Sequence, residues 1–195
     1  MRRALLLLAV LVCAGCGAEQ HTAAITHGPS PSARASEGFP VTPPVPAPSF
    51  LLRDQLGRST GPQQDRGHWT VVTFLYTNCP DVCPLVASQL GAAQRANRDL
   101  RVIAVSVDPK NDTAAARRAF VKRHNLPARF RFVSGTRAAL RPVWAGYHVA
   151  ALPGPNGTVS HSTFEILVDP SGKERELFDA KVTARSVLRA VQALS

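Results

Sequence analysis

The sequence lacks an apolar run long enough to cross a membrane as a helix, which takes about 20 residues. The apolar run at residues 4–12 is shorter, follows Arg2 and Arg3, and is followed by small residues. That order is typical of an export signal. We also find no internal repeat, and a chain of 195 residues allows one globular domain with an extension.

Acidic residues are scarce: 13 Asp and Glu stand against 23 Lys and Arg, which gives a net charge of +10. Removal of residues 1–15 would take away Arg2 and Arg3 and lower this charge to +8. Because the basic residues are scattered and the chain is predicted to be exported, we do not expect nucleic acid as a partner. We interpret the charge as a solvated basic surface, favourable near anionic lipid headgroups. An acidic docking partner is the alternative.

Cysteine is also rare, with four residues in the chain. The segment Cys13-Ala14-Gly15-Cys16 is similar to a bacterial lipobox, although Cys13 stands where Leu is usual. It predicts a signal peptide over residues 1–16 and lipidation of Cys16, which would anchor the chain at the outer face of the bacterial cytoplasmic membrane. An ordinary signal peptide with incidental cysteines is the alternative. Cys79 and Cys83 then remain as free thiols in an oxidising compartment, where a reductant or a metal must protect them.

Residues 17–48 are rich in Ala, Ser, Pro and Gly. Their many prolines exclude a regular helix or a central strand, so we predict a semi-extended tether. The prolines concerned are Pro29, Pro31, Pro40, Pro43, Pro44, Pro46 and Pro48.

From residue 49 to residue 195 the pattern predicts an α/β domain. We expect a central mixed sheet flanked by helices, with a hairpin near the end of the chain. Predicted strands cover 50–52, 70–76, 101–107, 130–133, 164–168 and 174–178. Predicted helices cover 84–97, 113–124, 137–147 with an interruption near Pro142, and 182–194. Asp108 and Asp112 are assigned to a turn and to helix capping, with Asp112-Thr113 as the N-cap of the second predicted helix.

Cys79 and Cys83 follow the apolar strand 70–76, at the carboxyl end where such sheets place their sites. Their spacing predicts both sulfurs on one face of a first helical turn, where the helix N-terminus favours thiolate. The pair could be a structural disulfide, a redox pair, or two ligands of one soft metal ion such as Cu(I) or Zn. A structural bridge is the weakest of these, because the local backbone already fixes two residues so close together.

His161 is the best candidate for a further ligand, since it leads directly into the predicted strand 164–168. None of the other five histidines has a comparable setting. They are His21, His27, His68, His124 and His148.

Three motifs, in order along the chain, resemble those of the Sco/SenC family. The first is Phe74-Leu75-Tyr76-Thr77-Asn78-Cys79-Pro80-Asp81-Val82-Cys83-Pro84, and the second is Ser106-Val107-Asp108-Pro109-Lys110-Asn111-Asp112-Thr113. The third is His161-Ser162 followed by Leu167-Val168-Asp169-Pro170-Ser171-Gly172. The resemblance covers about residues 50–195. The segment Leu152-Pro153-Gly154-Pro155-Asn156-Gly157 departs from the family pattern, and we expect a more mobile loop there.

The resemblance implies a thioredoxin-like fold and a membrane-tethered copper chaperone for the assembly of cytochrome c oxidase. Its implied copper ligands are Cys79, Cys83 and His161, with copper as Cu(I) or Cu(II). The implied partners are oxidase subunit II and a copper donor or thiol reductant. The alternative is a thiol-disulfide oxidoreductase in which Cys79 and Cys83 are the redox pair and form a disulfide when oxidised. A peroxidase-like relative and a purely interacting domain fit the paired thiols less well.

Overall fold

The computed structural model describes residues 38–155 and 158–195. The predicted signal peptide, Cys13, the lipidation site Cys16 and most of the predicted tether lie outside the described residues. Within them, no helix is both long and apolar enough to span a membrane.

The core is a six-stranded mixed sheet in the order β1-β10-β9-β4-β5-β6. Neighbours β4, β5 and β6 are parallel, whereas β9, β10 and β1 join antiparallel. The strands of this sheet are β1 (Phe39–Pro46), β4 (Thr70–Leu75), β5 (Arg101–Ser106), β6 (Phe130–Val133), β9 (Phe164–Val168) and β10 (Lys173–Asp179). In the described part of the chain two small hairpins lie outside this sheet, β2 (Leu52–Arg53) with β3 (Ser59–Thr60) and β7 (Ala151–Pro153) with β8 (Val159–His161).

Strand β4 lies between β9 and β5, and all six of its residues are buried. Its β-branched and aromatic side chains fill both faces, as expected for a central strand of a sheet that is covered on each side. The carboxyl end of β4 therefore lies near the middle of one edge of the sheet, between β9 and β5.

Four α-helices of residues 38–155 and 158–195 flank the sheet. They are α1 (Val82–Ala96), α2 (Ala114–Arg123), α3 (Arg137–Gly146) and α4 (Ala184–Leu194), and a short 3-10 helix covers Pro62–Asp65. Thr113, Thr136 and Thr183 each cap a helix by accepting a backbone N–H, as short hydroxyl side chains do. The prediction of a mixed sheet flanked by helices is confirmed.

Helix α3 continues through Pro142, so the predicted interruption is wrong. Proline removes one backbone hydrogen bond from a helix interior. Here the buried side chains of Leu140, Val143 and Trp144 hold both halves of the helix against the core, which compensates for that loss.

The structure also corrects the boundary between the predicted tether and the domain. Residues 39–46 form β1, which pairs antiparallel with β10 at the edge of the sheet. An edge strand tolerates proline because one side of it needs no ladder hydrogen bond. The prolines of this segment exclude a central strand, as predicted, but they are compatible with an edge strand, which was not predicted.

Candidate metal centre

Cys79 and Cys83 lie beyond the carboxyl end of β4 but in different local structures. Cys79 is in the connecting loop, and Cys83 is in the first turn of α1, which begins at Val82. The prediction that both sulfurs share one helical face is therefore wrong. The physical reason is Pro80, because a residue that precedes proline is disfavoured in the helical region.

The loop nevertheless brings the two cysteines into contact. The backbone N–H of Cys83 donates to the Sγ of Cys79 at 3.4 Å. Cys79 is half-buried and Cys83 is buried, and both are free thiols. One sulfur is thus accessible from solvent and the other is covered by the core.

The contact between the two cysteines shifts the pKa values of their thiols in opposite directions. A hydrogen bond from Cys83 lowers the pKa of Cys79 to about 5, with further hydrogen bonds from the backbone of Asp81 and Cys83 and from the Tyr76 side chain. The same thiol–thiol hydrogen bond, together with burial, raises the pKa of Cys83. At neutral pH Cys79 is a thiolate and Cys83 is its proton donor. A metal ion that takes both sulfurs must displace that proton.

Asp112 fixes the start of the cysteine loop, a role that the sequence analysis missed. Its buried carboxylate accepts from the backbone N–H of Thr77 at 2.8 Å, from the Thr77 hydroxyl at 2.7 Å and from the Ser106 hydroxyl at 2.6 Å. Thr113, not Asp112, caps α2. Burial raises the pKa of Asp112, and these hydrogen bonds oppose that shift.

The sequence did contain a signal for this role. Ser106 ends β5, Thr77 follows β4, and the two strands are parallel neighbours. Because the carboxyl ends of parallel neighbours lie at one edge of the sheet, a carboxylate in the loop after β5 can reach the loop after β4. Asp108 has the turn role that was predicted, since it accepts from the side chain of Asn111 at 2.7 Å.

His161 ends β8, where it is paired with Ala151 of β7. It was predicted just before the strand 164–168, and the structure places it on a hairpin whose connecting residues 156–157 lie outside the described residues. Its Nδ1 lies 2.9 Å from the carbonyl oxygen of Ser162. A carbonyl can only accept, so Nδ1 carries the proton and Nε2 keeps its lone pair for a ligand.

The structure brings His161 next to the cysteine loop, although not into one group with both thiols. The ring of His161 packs edge-on against the ring of Tyr76, with 5.9 Å between their centroids. Tyr76 in turn shares a hydrogen bond with Cys79. Among residues 38–155 and 158–195, no three His, Cys, Asp or Glu side chains are close enough to form a metal-binding group. Tyr76, which the sequence analysis did not single out, thus connects the candidate ligands.

The fold and the paired thiols at the carboxyl end of its central strand define a thioredoxin-like protein with a two-cysteine site. The model of the SCO1/SenC family matches residues 42–195. The chain belongs to the SCO1/SenC family.

Individual relatives are distant in sequence. An SCO2-like protein of Rickettsia typhi is 26% identical over 150 residues, which cover 72% of this chain and 73% of the relative. The copper-bound structure of Bradyrhizobium japonicum ScoI is 27% identical, with a TM-score of 0.64 over 76% of this chain and 99% of that one. A SCO1/SenC family lipoprotein from Bacillus anthracis is 21% identical, with a TM-score of 0.70 over 79% of this chain and 98% of that one. The last of these shows the fold alone.

Proposed function

We propose that this protein is an extracytoplasmic copper chaperone for the assembly of cytochrome c oxidase, with Cys79, Cys83 and His161 as its copper ligands. The observation that supports this most is the thiolate–thiol pair at the end of β4, with an imidazole one aromatic ring away. Membership of the SCO1/SenC family and the copper-bound ScoI structure support the choice of metal.

The donor set fits copper. Two sulfur ligands are soft and select Cu(I), and an imidazole extends the set to Cu(II). The hydrogen bond between His161 Nδ1 and the Ser162 carbonyl presents Nε2 as the free donor atom and orients the ring. The candidate ligands come from two separate parts of the chain, the loop after β4 and the hairpin β7–β8, so relative movement of these parts would open or close the site.

Release of copper follows from the difference between the two cysteines. The Cys79 sulfur is the more exposed of the two, so an incoming thiolate of the recipient reaches copper on that side. As the new copper–sulfur bond forms, the bond to Cys79 breaks, and copper keeps its oxidation state. The bonds from copper to Cys83 and His161 break in turn as further ligands of the recipient replace them, and Cys83 then takes a proton from solvent. We propose oxidase subunit II as the recipient.

The ligand assignment is tested by titrating the reduced protein anaerobically with Cu(I) against a chromogenic chelator. All variants carry Cys13→Ala and Cys16→Ala, so that Cys79 and Cys83 supply the only thiols. We expect one copper per chain, and loss of high-affinity binding in the Cys79→Ser/Cys83→Ser variant. If this double variant binds copper as tightly as the parent chain, the assignment is wrong.

A thiol-disulfide oxidoreductase is the second candidate, because a half-exposed thiolate beside a buried thiol is also the arrangement of an exchange pair. The variant His161→Ala separates the two functions. For a chaperone, it weakens copper binding and leaves exchange with a protein disulfide intact. His68→Ala is the matched control, since His68 precedes the opposite end of β4. Unchanged copper binding in His161→Ala would remove His161 from the site.

We further propose that lipidated Cys16 anchors the protein at the outer face of the cytoplasmic membrane. The lipobox-like segment supports this. Mass spectrometry of the membrane fraction should find a diacylglyceryl modification on Cys16. In a Cys16→Ala variant the modification should be absent and the protein should leave the membrane fraction. An unmodified Cys16 on a membrane-bound chain would contradict the proposal.

A further inference from the structure

Tyr76 lies directly after β4, three residues before Cys79, and is 4% exposed. The plane of its ring is at 83° to that of His161, so the two rings meet edge to face. Such a geometry is favourable beyond the area that it buries. The tyrosine ring therefore forms the surface on which the imidazole rests.

The Tyr76 hydroxyl makes two further interactions, one on each side of the site. It is hydrogen-bonded to Cys79 in the thiol loop and to the backbone of Val159 in β8. A phenolic hydroxyl has one proton to donate and lone pairs to accept with. It therefore donates to the sulfur of Cys79 and accepts the N–H of Val159.

We propose that Tyr76 is a positioning residue that ties the hairpin β7–β8 to Cys79 and so holds His161 beside the thiol pair before copper arrives. This inference rests on the proposed function. The ring of Tyr76 supports the imidazole of His161, and the hydroxyl of Tyr76 links the two parts of the chain that carry the candidate ligands. Tyr76 itself does not bind copper in this arrangement.

The effect on copper binding is one of preorganisation. A ligand that is already near its bound position loses less conformational freedom when the metal binds. Without the tyrosine hydroxyl, β8 would lose its hydrogen bond to the site, and β7–β8 is otherwise a three-residue ladder outside the main sheet. Copper binding would then have to order the hairpin.

The test uses Tyr76→Phe, which keeps the ring, and Tyr76→Leu, which removes it. Tyr147→Phe is the matched control, because Tyr147 is also buried and donates its hydroxyl to the carbonyl of Pro48, but its ring packs on Phe74. Two quantities are measured. The first is the NMR spectrum of the reduced, metal-free protein, including amide exchange at Val159 and the ring-current shift of His161. The second is Cu(I) affinity from chelator competition.

In Tyr76→Phe we expect faster exchange at Val159 with the His161 ring-current shift largely kept, and copper affinity about 5-fold weaker, as for the loss of one hydrogen bond. In Tyr76→Leu the ring-current shift disappears and affinity falls further. Tyr147→Phe changes neither quantity. If both Tyr76 variants match Tyr147→Phe, the inference is wrong.

The metal-free spectra keep this inference distinct from the proposed function. If His161→Ala leaves copper affinity unchanged, the proposed ligand set fails. If instead His161→Ala weakens copper binding, while amide exchange at Val159 in both Tyr76 variants is the same as in the parent chain, only the proposed role of Tyr76 is wrong.

Discussion

The backbone N–H of Cys83 donates to the sulfur of Cys79, and the Cys83 thiol donates to the same sulfur. Cys79 therefore receives hydrogen bonds that stabilise its charged form, while Cys83 keeps its proton inside the core. This asymmetry predicts different behaviour of the two thiols toward pH.

Alkylation by iodoacetamide should modify Cys79 first and with a midpoint near pH 5, since the pKa of this thiol is lowered to about 5. In Cys83→Ala the largest cause of this shift is removed, so the midpoint should move upward toward the ordinary value of a thiol. The rate is followed by mass spectrometry across a pH series. A midpoint that stays in place in Cys83→Ala would show that the thiol–thiol hydrogen bond is not the cause.

Asp112 should matter for stability as well as for the site. Asp112→Ala leaves the buried N–H of Thr77 without its partner, and an unsatisfied buried group costs about 1–3 kcal/mol. We expect urea unfolding to show a loss of that order, and a smaller one for Asp112→Asn, which keeps one carbonyl oxygen. Asp99→Ala, at an exposed carboxylate, is a suitable control. Equal stabilities of Asp112→Ala and the parent chain would contradict the anchoring role.

Glu165 should make the protein less stable as pH rises. Burial raises its pKa to about 8, and its Oε2 has no hydrogen-bond partner among the described residues. Between the unfolded pKa near 4.5 and about 8, the unfolded chain is ionised and the folded chain keeps its proton. The unfolding free energy therefore falls through this window, by at most about 1.4 kcal/mol per pH unit.

The variant Glu165→Gln isolates this effect, because its amide cannot ionise while its carbonyl can still accept from Thr73. The difference in unfolding free energy between the variant and the parent chain should grow in favour of the variant from pH 5 to pH 8. Denaturant unfolding at a series of pH values measures it. A difference that does not vary with pH would place the Glu165 pKa close to its ordinary value.

Removal of β1 should destabilise the domain. The strand pairs with β10, and Val45 and Pro46 line a cavity of about 430 Å³ together with Tyr147 and Phe164. A chain that begins at residue 49 should melt roughly 5–10 °C below one that begins at residue 38, as for a loss of about 2–3 kcal/mol. Equal melting temperatures would mean that residues 38–48 behave as the tether that their composition suggested.

Several parts of the fold could be predicted because they depend on local pattern. The strands 130–133 and 164–168 were predicted with the bounds that the structure has, since each is a short β-branched or aromatic run between turn residues. β1 was missed because its sequence, rich in proline, lacks that pattern. Only the exposed edge beside β10 makes it a strand.

The sequence by itself determined the fold class, the position of Cys79 and Cys83 after the central strand, and membership of a family whose motifs are local. Tertiary structure decided what those residues touch. Asp112 binds Thr77 across 35 positions, and His161 rests on Tyr76 across a still longer separation. Such contacts depend on how strands are ordered and paired in the sheet, which side-chain patterning along a single strand does not encode.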